Sequence, residues 1–272
     1  MKLVYLLSGA ALLAGAMTPA SAGTVLIVNG SAGTSEPNTT ASITTQLSTL
    51  HTEAGNVVTV SSDVPDNFAS YDQVWDIRFS NVFALSADLI SSYVSYLAGG
   101  GGMFVMGENS SFADRNNSIF SLISAAGGGD LGFTNVSSTQ TVVDPFTGPN
   151  PVSQITYSAP GGINGTGSGD WITTNGAGAG TGVAWGVGDL SNAQAGALTT
   201  ILDVNFMQTN ASAESQALTR NLIGFVGAQV DPPVNGAVPE PSTWALLLLG
   251  FFGIGRMMRR RGEVQTTKVN FA

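Results

Sequence analysis

Five polar residues sit at the ends of two apolar runs and would meet in one crevice: Asp76, Arg78, Glu108, Asn109 and Arg115. Asp76 falls near the end of residues 71–77, and Glu108 follows residues 103–106. Two carboxyl groups about 5–10 Å apart across a crevice are the equipment of glycoside hydrolysis. One gives a proton to the leaving oxygen, and the other acts as base or nucleophile. The same residues have a plainer use as ion pairs, Asp76 with Arg78 and Glu108 with Arg115. A third reading is a small-ligand site, because open α/β sheets bind ligands beyond the carboxyl ends of their strands.

Other chemistry finds less support. The chain has no cysteine, which removes disulfides, thiol nucleophiles and thiolate metal sites. Its one histidine, His51, reads as a surface or helix-end residue. A Gly-x-Ser-x-Gly pattern at residues 165–169 lies in a loop, without the strand–turn–helix setting that a serine nucleophile needs. The run Gly99-Gly100-Gly101-Gly102 lacks the Lys-Ser/Thr of a phosphate loop and reads as a helix stop. Residues 161–182 are glycine-rich but lack the repeat of calcium β-rolls. Asp130, Asp144, Asp170 and Asp189 fall in loops, where each would hold calcium weakly at best. No metal or cofactor is assigned. Trp171, Trp185 and Phe146 lie among polar loops, where they would either stack on sugar rings or pack a small core.

The elements that must position these residues follow from periodicity. Residues 24–30 are a short β-branched run of the kind buried in parallel sheets. A helix follows from about 35–37 to 54, with Ile43, Leu47 and Leu50 on one face. Residues 57–60 and 71–77 read as the second and third strands. Ser86 is placed to cap a helix whose Leu89, Ile90, Tyr93, Val94 and Leu97 share a face. Residues 103–106 are the fourth strand, and 119–126 a short helix. Residues 133–143 and 152–157 read as a hairpin around the turn at 144–149. Short strands are expected at 170–173 and 183–187, and another from 198 to 205. A closing helix at 213–226 turns Leu218, Leu222 and Phe225 inward. Alternating strands and helices imply a doubly wound, mostly parallel α/β sheet.

From residue 25 to 226 this order resembles the class I glutamine amidotransferase-like, flavodoxin-like fold. The resemblance rests on Leu26-Ile27-Val28, Tyr71-Asp72-Gln73-Val74 and the helix entering the glycine run. Phe104-Val105-Met106-Gly107 and the helix around Arg220-Asn221-Leu222-Ile223 add to it. In that family the catalytic cysteine occupies the turn that here reads Gly107-Glu108-Asn109-Ser110. Cysteine and the partner histidine are both missing from their places, so the resemblance implies the fold without the activity.

The two ends of the chain read differently from its body. Residues 1–22 have a Lys2 n-region, an apolar stretch and an Ala20-Ser21-Ala22 cleavage site, the pattern of a secretory signal peptide. Near the other end come Pro239-Glu240-Pro241, an apolar run with Trp244, Leu246, Leu247, Leu248, Leu249, Phe251 and Phe252, and then Arg256, Arg259, Arg260 and Arg261. The two prolines keep the backbone extended, in a form that fits a narrow protease-like cleft. The apolar run is short for a bilayer, and snorkelling of Arg256 would lengthen it. The arginines favour the cytoplasmic side and turn Pro-Glu-Pro outward.

This three-part order closely resembles the PEP-CTERM sorting signal of Gram-negative bacteria. The resemblance implies recognition by an exosortase-type membrane enzyme, removal of the anchor and delivery toward the cell surface or extracellular polysaccharide. The chain departs from the pattern by continuing through residues 262–272 beyond the basic cluster.

Charge agrees with an exported fate. The chain carries −9 overall, but residues 23–235 hold three arginines against sixteen acids. That balance excludes a phosphate-binding nucleic-acid surface. The expected organisation is a signal peptide at 1–22, an α/β body at 23–226 with a β-rich, glycine-rich insertion at about 127–182, and a linker at 227–237. The sorting signal and hydrophobic helix at 238–261 and a cytoplasmic tail at 262–272 complete it. The expected protein is a non-enzymatic surface or matrix protein. It passes the Sec translocon, rests transiently in the inner membrane, meets exosortase, and associates with exopolysaccharide. A secreted glycan hydrolase using Asp76 and Glu108, or a small-ligand binder, are the alternatives.

Overall fold

The computed structural model describes residues 23–34 and 36–230. The signal-peptide residues, the linker beyond Val230, the Pro-Glu-Pro motif, the apolar run and the arginine cluster lie outside the described residues. Among the described residues no helix is long and apolar enough to cross a membrane.

The apolar run near the start forms β1 (Thr24–Val28), and Pro37 opens α1 (Pro37–Glu53), which buries Ile43, Leu47 and Leu50 as its spacing requires. The next elements are β2 (Val57–Ser61), β3 (Gln73–Asp76) and α2 (Ala87–Ala98). Ser86 Oγ accepts from the Leu89 amide at 3.2 Å, the expected cap. Strand β4 (Gly102–Gly107) and helix α3 (Ala113–Ala126) come next. Helix α3 starts earlier than its apolar period suggests. Asn81, from a distant loop, accepts from the Asp114 and Arg115 amides and caps the extra turn.

The β-rich region supplies β5 (Phe133–Thr134), β6 (Thr139–Val142), β7 (Gln154–Thr156), β8 (Gly162–Ile163), β9 (Asp170–Thr174) and β10 (Gly182–Trp185). Then come β11 (Ala197–Leu202), a short 3-10 turn at Asn205–Met207 and α4 (Ala213–Val230). The expected strand at 198–205 thus stops at Leu202. The closing helix runs on to Val230, past the expected start of the linker at 227.

Nine strands make one sheet in the order β2-β1-β3-β4-β11-β10-β9-β6-β7, and β5 pairs with β8 apart from it. The five strands from β2 to β11 are parallel, and from β11 to β7 every pairing is antiparallel. The expectation of a mostly parallel sheet is therefore corrected to one that is half parallel and half antiparallel. The inserted strands prolong the main sheet, because β10 hydrogen-bonds the free edge of β11. The expected hairpin is also shorter: β6 and β7 pair, but residues 133–134 leave to join β8.

Helices cover both faces of the parallel half. Helices α1 and α4 pack on one face, over Val25, Ile27, Trp75, Phe104 and Ile201. Helices α2 and α3 pack on the other, over Leu26, Val28, Val74, Met103 and Leu198. Strands buried on both faces read as unbroken apolar runs, which is how β1 and β4 appear in the sequence.

Candidate functional site

The candidate residues gather at the carboxyl ends of β3, β4 and β11. Asp76 is the last residue of β3 and is fully buried. Its Oδ1 accepts from Arg78 Nε at 2.8 Å and from the Arg78 amide at 3.2 Å. Its Oδ2 accepts from Arg78 Nη2 at 2.8 Å and from the Tyr93 hydroxyl at 3.0 Å. Arg115 Nη2 lies 3.3 Å from the same oxygen. Burial pushes the Asp76 pKa up, but the charges of Arg115 and Arg78 outweigh it and hold it at about 2. Burial likewise drives the Tyr93 hydroxyl well above its ordinary value, so it stays a neutral donor.

Arg115 is buried in the first turn of α3 and fixed by two backbone acceptors. Its Nε donates to Met106 O at 3.1 Å and its Nη1 to Phe83 O at 2.8 Å. Arg78 stacks its guanidinium 5.1 Å from the Phe83 ring centre. The structure therefore brings Asp76, Arg78 and Arg115 together, and it corrects the expected pairing of Arg115 with Glu108.

Glu108, just past β4, has a different set of partners. Its Oε1 accepts from the Asn109 amide and Nδ2, both at 2.9 Å, and its Oε2 from the Val204 amide at 2.7 Å. Asn116 Nδ2 holds the turn by donating to Glu108 O at 2.7 Å. Burial raises the Glu108 pKa to about 8, helped by the nearby charge of Asp203. Asp203 is itself buried and raised by that burial, while its carboxylate accepts from the Ala159, Asn205 and Phe206 amides.

The carboxylate coupled to Glu108 is thus Asp203, which the sequence reading missed by running its strand through that position. Asp76 and Glu108 share none of these hydrogen-bond partners. A cleft of the body opens at the opposite, amino-terminal end of the strands, and neither residue lines it.

Other expected sites resolve into packing. Trp185 and Phe146 are buried: Trp185 Nε1 donates to Gly128 O at 3.2 Å, and Phe146 packs 4.9 Å from Phe225 between ring centres. Neither ring is available to a sugar, and Trp171 is half-buried against the core. His51 does lie in the last turn of α1, but it is fully buried rather than on the surface. It meets Trp75 edge-on at 4.8 Å, and burial lowers its pKa to about 4. Among the described residues no three His, Cys, Asp or Glu side chains gather as a metal site. Asp130 and Asp189 instead accept from Ser124 Oγ and the Gly186 amide.

A family profile described as the PEP-CTERM protein-sorting motif matches residues 237–261. The chain carries a PEP-CTERM sorting motif. Such a motif implies an exported protein, anchored in the membrane before processing by an exosortase-type enzyme. No curated protein matches the chain in sequence. Solved structures match in fold. The mmIFT52 N-terminal domain overlays with a TM-score of 0.54 at 10% identity, covering 76% of this chain and 96% of that one. A ThuA-like protein from Bacteroides uniformis gives 0.51 at 11% identity, covering 76% of this chain and 94% of that one. An exo-β-1,4-mannosidase from Opitutaceae bacterium strain TAV5 gives 0.48 at 12% identity over 76% of this chain and 36% of its own, too loose to inform function.

Proposed function

We propose that this chain is an exosortase-sorted surface or extracellular-matrix protein whose body is non-enzymatic and associates with exopolysaccharide. It enters the Sec translocon behind residues 1–22 and is held transiently in the inner membrane by the apolar run around Trp244 to Phe252. Cleavage near Pro239-Glu240-Pro241 then frees the body for the cell surface. The observation that carries the sorting half is the motif at residues 237–261.

The non-enzymatic half is supported by the state of the crevice carboxylates. Asp76 is occupied by two arginines and a tyrosine, and Glu108 is only 2% exposed. A hydrolase needs two carboxyl groups that reach a sugar across open space. The order β2-β1-β3-β4-β11 supports reading the body as flavodoxin-like, without the cysteine and histidine of the amidotransferases.

The test is the intact mass of the protein from native cells, separated into membrane and extracellular pools. Wild type is expected outside the cell, starting at Gly23 and ending near Pro-Glu-Pro. A Pro239→Ala, Glu240→Ala variant is expected to stay in the membrane with residues 244–272 attached. Equal release of both proteins would overturn the sorting assignment.

A further inference from the structure

The glycine run before β4 lines the cleft at the amino-terminal end of the strands. The cleft, about 600 Å³, lies between the segment leading into β3, the carboxyl-terminal half of α2 and residues 99–101, with Val230 at its side. That volume is in the range of sites for small organic ligands. Gly99, Gly100 and Gly101 form part of its lining as bare backbone. Gly100 has a φ of +95°, and a Cβ on Gly101 would lie 2.2 Å from the Tyr96 ring. Glycine is therefore what lets Tyr96 lie down on the chain. The ring is braced on Phe68, 5.5 Å away between centres, and its hydroxyl donates to Tyr71 O at 3.1 Å.

We propose that this cleft binds a neutral glycan. Its walls set the half-buried ring of Tyr71, beside the packed ring of Tyr96, among the exposed polar side chains Asp66, Asn67, Ser91 and Ser92. Aromatic faces take the apolar C–H faces of a sugar ring, while carboxylates and hydroxyls take its O–H groups. Among the described residues the lining has the acids Asp66 and Asp72 and no lysine or arginine, a balance that disfavours uronates, sulfates and phosphates. A neutral polyhydroxylated ligand satisfies both conditions. Val230 is the last residue of α4, so the site flanks the point from which the chain runs on toward the sorting motif.

This names the site at which the body would hold polysaccharide. It rests on the surface-protein reading for its ligand class and on the cleft alone for its geometry.

The test uses the full-length protein in detergent, titrated calorimetrically with cellotetraose, maltotetraose and, as an anionic control, tetragalacturonate. Binding of a neutral tetrasaccharide, without binding of the uronate, is expected. Tyr71→Ala should weaken it about tenfold, the value of one lost aromatic contact. Ser91→Arg, on the exposed face of α2, should block it while leaving the melting temperature unchanged. No neutral-sugar binding, a preference for the uronate, or binding untouched by Ser91→Arg overturns the site. The mass experiment on Pro239 and Glu240 is indifferent to these variants, so failure of the cleft and failure of sorting read out separately.

Discussion

Arg115 passes over Glu108 and meets Asp76, its Nη2 3.3 Å from the Asp76 carboxylate. This one contact decides how the carboxyl ends of β3 and β4 are used. It ties the first turn of α3 to the end of β3 and leaves Glu108 without a cationic partner among the described residues.

The three charges hold one another in place, so the cluster should fail as a unit. Asp76→Ala leaves two buried guanidinium groups uncompensated and should cost about 3–5 kcal/mol. Urea unfolding of the variant measures it. A loss below about 1 kcal/mol, the range of exposed pairs, would mean that the arginines find water or other partners.

Glu108 should make the body weaker in alkali. Its carboxyl binds a proton more tightly in the folded chain, at about 8 against 4.5. Its contribution is therefore full below about pH 4.5 and is lost as the pH rises through 8. Stability in urea should fall between pH 5 and pH 9, and Glu108→Gln should remove most of the fall. A wild-type profile that stays flat across that range contradicts the burial of this carboxyl beside Asp203.

His51 acts in the opposite direction. Its folded pKa of about 4 lies below the unfolded 6.5, so the unfolded chain takes up the proton first. The stability it supports is intact above pH 6.5 and drains away as the pH drops through 4. His51→Leu, facing Trp75, should lower the acid midpoint of unfolding. An unchanged midpoint would show that His51 is protonated in the folded protein without penalty.

Two glycines should respond with opposite signs. Gly101→Ala drives a methyl into Tyr96 and should cost about 1–3 kcal/mol. Gly224 lies exposed in α4 with open space around its missing Cβ. Gly224→Ala should raise stability by roughly 0.5–1 kcal/mol. Thermal melts of both proteins check the pair, and a stabilised Gly101→Ala would contradict the packing of Tyr96 on the backbone.

The parallel half of the fold was legible because its signals are local. A β-branched run marks β1, a proline opens α1, and Ser86 caps α2. What escaped depends on distant partners. The start of α3 is hidden because its cap is Asn81, contributed from another loop. The partner of Arg115 was misjudged because sixteen acids and three arginines allow many pairings, and only the fold chooses among them. Asp203 was hidden inside a strand drawn too long. His51 was legible after all: it follows Leu47 by four residues on the buried face of α1. The sorting motif needed no fold, since its order of proline, apolar and basic segments is written in one stretch.

The pairing of β11 with β4 sets the order in which the body can assemble during export. Thr200 Oγ1 donates to Val105 O across a separation of 95 residues in sequence. A chain threaded outward from its amino end presents β4 long before β11 arrives. Until then Phe104, Val105 and Met106 stand at an open, apolar sheet margin that pairs readily with other chains. Closure comes with residue 202, shortly before the sorting motif itself reaches the membrane.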